Sequence, residues 1–193
     1  MFEHITNKFP FPKEKWRKFL GGFERMEVPA KTLLLQEGNV SYNAFYLEKG
    51  LVRAWYNNDG KDVTFQFFIE NTMFSSLESF KKGLPSMVSF ETIEPCVLYK
   101  IKKPDVEAFL EEVYECPELR TLLMDALFER MFDYMKHFFS FIKDSPQQRY
   151  LNLANEKPEI IRRVPQHYIA SYLGITTVHL SRIKAKILKE KLS

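Results

Sequence analysis

Cysteines and long apolar segments are scarce in this chain, and their scarcity excludes several classes of function. The 193 residues include two cysteines, Cys96 and Cys116, which cannot supply all the thiolates that hold an iron–sulfur cluster. Neither cysteine has zinc-site spacing to a histidine, so we predict two reduced thiols and no metal site. No apolar run of about 18 residues occurs, and the first residues show no secretory signal pattern. We therefore expect a cytoplasmic protein with no membrane span.

Signatures of catalysis are missing as well. The histidines at positions 4, 137, 167 and 179 are scattered, and the acidic residues read as solvated faces. No Ser/His/Asp set, glycine-rich phosphate loop or pair of metal ligands is found at useful spacing. The sequence therefore predicts a protein that is not an enzyme and that holds no cofactor.

Aromatic side chains and an uneven charge are what the chain has in plenty. It contains 18 Phe and 9 Tyr, and 45% of its residues are apolar, enough for a sizeable core. The net charge is +3, but residues 143–193 hold ten Lys and Arg against four Asp and Glu. A basic carboxyl-terminal quarter on an acidic body suits a segment that meets a polyanion, although a solvated surface would show the same composition.

The first hundred residues alternate between short strand patterns and turn signals. Residues 12–24 have helical spacing, and strands are predicted at residues 32–36, 45–47, 51–56, 63–69, 88–93 and 97–101. Asn57-Asn58-Asp59-Gly60 predicts a tight hairpin, because Asn, Asp and Gly tolerate positive φ. Short strands at near-regular spacing indicate a β-barrel or a β-sandwich.

After residue 103 the apolar period becomes helical. Residues 104–111 predict a short helix and residues 117–142 a long one. In the long helix a heptad pattern predicts a dimerisation seam formed by Met124, Leu127, Met131, Tyr134, Phe138 and Phe141. A second stripe, formed by Leu119, Leu123, Ala126 and Phe139, is expected to face the β-rich part of the same chain. The alternative is a helix buried wholly within the monomer.

The segment Asp144-Ser145-Pro146 interrupts the helical pattern and restarts it. Ser145 suits an N-cap, and Pro146 suits the first helical turn. We therefore predict three parts: a β-rich sensor domain over residues 1–116, a dimerisation helix over residues 117–143, and a helical DNA-binding domain over residues 144–193.

Residues 166–185 carry the pattern of a helix-turn-helix. With Gln166 as the first of twenty positions, the six positions that this motif buries are Ile169, Ala170, Leu173, Ile175, Leu180 and Ile183. The position where the two helices cross is the small Ala170, and the sharp turn falls on Gly174. An ordinary helical hairpin shares the apolar pattern, but the small residue and the glycine together favour a DNA-binding motif.

The second helix of this motif is expected to enter the major groove with its amino-terminal end. Thr176 is placed to cap it, and the outward residues near its start are Thr177, Val178, Ser181 and Arg182. Arg182 is the candidate for reading a guanine edge, and Val178 or the Thr177 methyl for contacting a thymine methyl. Candidates for phosphate contacts are Gln166, Thr176, Ser181, Lys184 and Lys186, whereas His179 is expected to face solvent.

A β-rich first part, a long helix and a carboxyl-terminal helix-turn-helix together resemble the Crp/Fnr superfamily of bacterial transcription regulators. Residues 169–176 and 180–183 carry the resemblance most specifically, with support from the turns at residues 37–38, 47–52 and 58–60. The resemblance implies an α+β chain with a cyclic-nucleotide-binding-like double-stranded β-helix, or jelly roll, and a winged helix-turn-helix. It also implies a homodimer on a pseudo-palindromic duplex, with RNA polymerase as a further partner.

The family's nucleotide site does not carry over. In cyclic-nucleotide binders a glutamate holds the ribose, and further along an arginine followed by Ser or Thr holds the cyclic phosphate. The matching residues are Ser76, preceded by Ser75, at the glutamate, Ser86 at the arginine and Met87 at the hydroxyl residue. A half-buried phosphate needs a charged partner, and no arginine lies between Arg53 and Arg120. We expect no cyclic AMP binding in the usual mode, and leave open an unknown small-molecule effector.

Two alternatives stay open at this point. A haem-binding branch of the family needs an axial ligand, and His4 and His137 are available without a supporting motif. A different class would be a cyclic-nucleotide or other small-ligand sensor whose carboxyl-terminal helices contact a protein. The charge of the second motif helix, which holds Arg182, Lys184, Lys186, Lys189 and Lys191, favours DNA.

Overall fold

The computed structural model describes residues 12–192, which form a β-sandwich followed by a helical carboxyl-terminal half. The strands are β1 Glu24–Val28, β2 Leu33–Leu35, β3 Asn43–Lys49, β4 Val52–Asn58, β5 Lys61–Phe68, β6 Thr72–Phe74, β7 Ser89–Thr92 and β8 Cys96–Lys102. The helices are α1 Lys13–Gly21, α2 Leu77–Lys82, α3 Lys103–Tyr114, α4 Pro117–Lys143, α5 Pro146–Glu156, α6 Pro158–Arg163, α7 Gln166–Tyr172 and α8 Thr177–Leu192. The predicted α+β class is confirmed.

Two antiparallel four-stranded sheets enclose an aromatic core. One sheet has the order β1-β8-β3-β6 and the other the order β2-β7-β4-β5. Between them the ring of Phe68 stacks on Phe74 with 4.5 Å between centroids, and Phe90 meets Phe74 edge-on at 5.3 Å. Large rings removed from water supply much of the stability of such a core. The predicted jelly-roll sandwich is therefore present, and its interior is filled with Phe side chains.

The tight turn between β4 and β5 forms where the sequence predicted it. Asp59 and Gly60 both have positive φ, 51° and 81°, as the two central residues of this class of hairpin turn require. The Asn57 side-chain oxygen accepts a hydrogen bond from the Gly60 amide at 2.7 Å. The turn fixes the pairing of β4 with β5, the two strands against which the helix-turn-helix packs.

The carboxyl-terminal half is helical as predicted, but the wing implied by the family resemblance is not found. Among the described residues, no strand follows Lys102. Only Val164 and Pro165 connect α6 to α7, and two residues are too few for a hairpin at that place. Pro165 also lacks the amide hydrogen that a strand ladder would use. The described part of this domain therefore contains a helix-turn-helix and no β-hairpin of its own.

The long helix α4 continues directly from the sandwich through α3. The amino-terminal helix α1 packs on α3, where the rings of Phe19 and Phe109 stack with 3.8 Å between centroids. Leu119 at the start of α4 is buried, and most of the rest of this helix is exposed on one side. Within residues 12–192, no helix combines the length and the apolar character that crossing a membrane requires.

Candidate nucleic-acid interface

The helix-turn-helix is formed by α7 and α8 with the core that its sequence predicted. Five of the six predicted positions are buried, and Ile175 is half-buried. Ala170 lies where the two helices cross, and a larger side chain there would separate them. The same apolar cluster includes Tyr150 of α5 and Ile160 of α6, so the two helices of the motif share one core with two further helices.

The turn of the motif depends on a glycine for two reasons. Gly174 has φ of +67°, a conformation that side chains with a Cβ rarely adopt. A Cβ at this position would also lie 3.0 Å from a ring carbon of Phe141 at the end of α4. The neighbouring Leu173 carbonyl accepts hydrogen bonds from Arg149 Nε at 3.2 Å and Nη2 at 3.0 Å. The turn is therefore tied to both α4 and α5.

Both predicted helix caps are confirmed. Thr176 Oγ1 accepts a hydrogen bond from the His179 amide at 3.2 Å and caps α8. Ser145 Oγ accepts from the Gln148 amide, also at 3.2 Å, and caps α5, whose first turn contains Pro146. Each cap satisfies an amide that the helix itself leaves unpaired.

The start of α8 presents an exposed surface without acidic residues. The four predicted base-facing residues, Thr177, Val178, Ser181 and Arg182, are all exposed. The first turn has no Asp or Glu, and Glu190 is the first acidic residue along α8. The side chain of Lys184 donates to Gln166 Oε1 at 3.0 Å, so two predicted phosphate contacts lie side by side. Lys186 is exposed next to them and lies 3.7 Å from a Glu190 oxygen.

A buried arginine that the sequence analysis did not single out joins this motif to the sandwich. Arg53 of β4 is 2% exposed, and its guanidinium donates to Asp62 Oδ1 at 2.6 Å and to Glu91 Oε2 at 2.8 Å. The same group lies over the Tyr168 ring of α7 at 3.8 Å. Burial opposes its charge, but the bonds to Asp62 and Glu91 outweigh burial and raise the pKa of Arg53. The arginine is therefore charged and positions α7 on the sheet.

Two further contacts complete this docking surface. The Ser171 hydroxyl of α7 accepts a hydrogen bond from the Thr64 amide of β5 at 2.9 Å, and Phe67 packs against Tyr172 with 5.1 Å between ring centroids. At the other end of the domain, Arg163 donates to both Glu70 oxygens, at 2.6 and 3.0 Å, and to Glu94. The carboxylate of Glu70 in turn accepts from the Gly50 amide. Sheet, turn and helix-turn-helix are therefore held as one unit.

The apolar residues of helix α4 lie on two faces. The residues on each face differ in part from those predicted from the sequence. The face toward the same chain contains Leu119, Arg130, Tyr134, His137 and Phe141. Tyr134 stacks on Phe65 at 6.1 Å, and His137 stacks on Tyr172 at 4.7 Å. Of the predicted seam, Tyr134 and Phe141 therefore turn toward their own chain, although both stay partly exposed.

The other face is an exposed apolar face, by which we mean Met124, Leu127, Phe128, Met131, Phe132, Met135, Phe138, Phe139 and Ile142. The predicted second stripe is correct only at its start. Leu119 is buried and Leu123 is half-buried, but Ala126 and Phe139 are exposed. At about 100° per residue, Phe139 lies about 200° around the helix from Leu119, on the opposite side.

The residues aligned with the family's nucleotide site include two serines that hydrogen-bond to each other and to the backbone. Ser86 is buried, and its hydroxyl donates to the Val88 carbonyl at 2.6 Å and lies 2.8 Å from the Ser76 hydroxyl. Ser75 is half-buried, and Met87, at the position of the phosphate-binding hydroxyl, is 70% exposed. No charged side chain therefore stands at the positions where the family holds ribose and phosphate.

Metal or haem ligation finds little support among the described residues. No group of three or more His, Cys, Asp or Glu that could hold a metal ion occurs within them. His137 lies 3.2 Å from the Tyr172 hydroxyl through Nδ1, and His4 falls outside the described residues. Both cysteines are free thiols, and burial raises the pKa of Cys96 to about 11. A thiol with so high a pKa is a poor nucleophile at neutral pH.

This architecture is similar to that of several solved structures. The family model for the cyclic nucleotide-binding domain matches residues 25–113, and no curated protein matches the sequence. Among solved structures, the c-di-GMP-responsive global regulator CLP of Xanthomonas campestris has a TM-score of 0.72, 17% identity, and 94% coverage of each chain. FixK2 of Bradyrhizobium japonicum has a TM-score of 0.69 and 15% identity, covering 88% of this chain and 86% of its own.

The catabolite activator protein of Thermus thermophilus is similar with a TM-score of 0.54 and 18% identity, covering 94% of this chain and 86% of its own. All three likenesses extend across both the sandwich and the carboxyl-terminal helices. Residues 25–113 therefore match the model of the cyclic nucleotide-binding domain, and the chain as a whole shares the fold of these three solved structures.

Proposed function

We propose that this protein is a sequence-specific DNA-binding transcription regulator of the Crp/Fnr type that acts in the cytoplasm as a homodimer. The main support is the start of α8, which is capped by Thr176 and has no acidic residue in its first turn. Four exposed side chains lie there on a well-packed helix-turn-helix: Thr177, Val178, Ser181 and Arg182. Gln166, Thr176, Lys184 and Lys186 flank them as phosphate contacts. Phosphate contacts position the motif, and base contacts specify the sequence.

The exposed apolar face of α4 is the surface through which two copies pair. Met124, Phe128, Met131, Met135, Phe138 and Ile142 follow one another at steps of four and three residues, which is the spacing of a two-helix seam. Three residues, Met124, Met131 and Phe138, belong both to this seam and to the seam predicted from the sequence. The centre of this seam lies about 50° around the helix from the centre of the predicted seam. Nine large apolar side chains exposed together on one helix mark an association surface. Leu127 lies at its border.

The proposed division of labour follows from these surfaces. Residues 1–116 act as the sensor part, residues 117–143 as the dimerisation helix and residues 144–193 as the DNA-binding part. Because Ser76, Ser86 and Met87 offer no charge to a cyclic phosphate, the protein does not bind cyclic AMP in the family's usual mode. RNA polymerase is the further partner that the family fold suggests.

Arg182→Ala is expected to relax sequence selectivity at one base-pair position in each half-site. Loss of a contact that makes two hydrogen bonds to guanine removes about 1–3 kcal/mol of discrimination against the wrong base pair. The preference for the correct base pair should therefore fall by about fivefold to more than a hundredfold. The measurement is a competition binding assay with duplexes altered one base pair at a time, starting from a site selected by the full-length protein from a random pool. The matched control is Lys186→Ala, which should weaken all duplexes alike and lower the slope of affinity against salt by about one. An unchanged base preference in Arg182→Ala would remove this residue from the reading surface.

A further inference from the structure

One guanidinium lies between the end of the long helix α4 and the turn of the helix-turn-helix. Arg149 of α5 is half-buried, and its Nη1 donates to the Asp144 carbonyl at 2.9 Å. Its Nε and Nη2 donate to the Leu173 carbonyl at 3.2 and 3.0 Å. The same group lies over the Phe141 ring of α4 at 4.8 Å. A single side chain therefore contacts both elements at the place where they meet.

Both carbonyls that Arg149 binds stand at the carboxyl end of a helix. Asp144 is the C-cap of α4, and Leu173 is the C-cap of α7. Carbonyls at such ends lack partners within their own helix and carry the negative end of its dipole, so they favour a cationic donor. A planar guanidinium holds its N–H groups in fixed directions, whereas an ammonium is a point donor on a flexible stem. Arginine is thus suited to fix the two ends relative to each other.

Aromatic side chains at the end of α4 contact the same turn beside Arg149. The ring of Phe141 lies so close to Gly174 that a Cβ there would be 3.0 Å from a ring carbon. About one turn earlier in the helix, the His137 ring stacks on Tyr172 at 4.7 Å and meets the Phe141 ring edge-on at 5.1 Å. Polar and aromatic contacts therefore join the last two turns of α4 to the end of α7 and the turn that follows.

These contacts matter because α4 and α8 have different tasks in the proposed dimer. The exposed apolar face of α4 pairs the two subunits, and α8 begins at Thr177, just after the turn at Gly174. In a two-fold dimer, the angle between α4 and α8 determines the distance and the rotation between the two reading helices. One extra base pair displaces a half-site by about 3.4 Å along the DNA and rotates it by about 35°. The junction of α4 with the turn therefore determines which half-site spacing the dimer fits.

We propose that Arg149 is a positioning residue that makes the dimer select one spacing between the two half-sites of its operator. This inference rests on the proposed DNA-binding function. The guanidinium holds the ends of α4 and α7 at a fixed angle, and its donor nitrogens bind carbonyls within the subunit rather than DNA. Arg182 and its neighbours read the bases of each half-site, whereas Arg149 determines how far apart the two half-sites lie.

The test measures affinity for the site that the full-length wild-type protein selects and for the same site with one base pair added or removed at its centre. On an altered duplex the wild-type dimer must twist the DNA or strain its own junction. Its affinity should therefore fall at least about tenfold, or about 1.4 kcal/mol. In Arg149→Lys and Arg149→Gln the junction yields more easily, so this spacing ratio should fall to about threefold or less. A duplex with a single half-site should be bound alike by all three proteins.

Arg149→Lys is the sharper of the two variants because it keeps the positive charge and the long stem. An ammonium does not donate in the fixed directions that the guanidinium uses, so charge alone should not restore the spacing ratio. This variant also keeps the test usable where Arg149→Gln disturbs folding. The matched control is Arg120→Gln at the other end of α4, where the exposed Arg120 donates to the Tyr114 carbonyl at 3.1 Å. The control should keep the wild-type spacing ratio.

A measurement without DNA follows the junction itself. Nitroxide labels are attached to Ala185→Cys, on the exposed side of α8, in a Cys116→Ser background. The remaining Cys96 is buried and, with a pKa of about 11, stays unlabelled. Pulsed electron–electron double resonance should give one narrow distance distribution between the two subunits. The distribution should broaden with Arg149→Lys and stay narrow with Arg120→Gln.

The outcomes separate this inference from the function on which it rests. If the wild-type protein enriches no duplex, the DNA-binding function fails and the inference falls with it. If the wild type binds a selected site but accepts all spacings alike, or if Arg149→Lys keeps the wild-type spacing ratio, the function stands and the role of Arg149 is refuted. Equal weakening on every duplex is refutation as well, because a merely structural contribution leaves the ratio unchanged.

Discussion

Phe138→Asp is expected to convert the protein from dimers to monomers and to abolish tight DNA binding. Phe138 is 64% exposed in the single chain, so the substitution removes little from the monomer's own core. In a two-fold symmetric pair each interface would bury two aspartates, and uncompensated buried carboxylates cost several kcal/mol. The dimer dissociation constant should rise at least about a hundredfold, or about 2.8 kcal/mol. Sedimentation velocity measures the change.

DNA binding weakens because a monomer has one reading helix, whereas a dimer has two that are connected. A monomer reads one half-site, so it loses the effective-concentration gain of two connected reading helices, which is on the order of a hundredfold or more. Lys136→Asp is the matched control, because it introduces the same residue on the polar side of α4. It should leave both the dimer and DNA binding intact. A Phe138→Asp protein that stays dimeric would place the pairing surface elsewhere on the molecule.

Arg53→Met is expected to lower the stability of the protein, because it removes the cation from a buried ion-pair network. The substitution leaves the carboxylates of Asp62 and Glu91 close together without their cation, and it removes the group that lies over Tyr168. Removing one partner of a buried pair costs about 3–5 kcal/mol, and the 43% exposure of the Asp62 side chain lowers this to about 2–3 kcal/mol. For a chain of this length the melting temperature should fall by roughly 5–10 °C.

Calorimetric melting of Arg53→Met beside Arg25→Met tests this expectation. Arg25 also lies in a strand and pairs with Glu27 at 2.7 Å, but both side chains are exposed, so its replacement should not change the melting temperature measurably. Because Arg53 positions α7, its variant should also lose protection of the Thr64 amide, which donates to Ser171, in hydrogen exchange. Equal melting temperatures for the two variants would show that the buried network does not hold the domains together.

The elements that local chemistry determines could be predicted from the sequence. The Asn57–Gly60 turn and the turn at Gly174 each need backbone conformations that few residues adopt, so their sequences identify them. The helix-turn-helix was predictable because its burial pattern, its small residue at the crossing and its cap all lie within twenty residues. The bulk of the β-sandwich followed from strand spacing, although β1, β6 and α2 were not predicted. These three are short, and β1 carries three charged residues among five.

What depends on contacts between distant residues was not predictable. A heptad pattern on α4 fits either of two registers, because this helix is rich in Phe and Met all around one half of its surface. Only the packing of Tyr134 on Phe65 and of Phe141 beside Gly174 decides which residues face outward. Arg53 was unremarkable in sequence, because its partners Asp62 and Glu91 come from neighbouring strands. The expected wing is not found among the described residues, where only helices follow Lys102.

The sandwich matches the model of the cyclic nucleotide-binding domain, and aromatic rings fill its interior. Phe rings fill the space between the sheets, and Ser76 and Ser86 bond to each other and to backbone where the family carries glutamate and arginine.

Selective binding of duplex DNA is the property on which the proposed function depends. Full-length protein selects duplexes from a random pool, and its affinity for the enriched site is compared with that for a scrambled duplex of the same composition. We expect a pseudo-palindromic site, with half-sites about one helical turn apart, that is bound at least on the order of a thousandfold more tightly than the scrambled duplex. Equal affinity for the enriched and the scrambled duplex, at the same salt concentration, would show that the protein does not read DNA sequence.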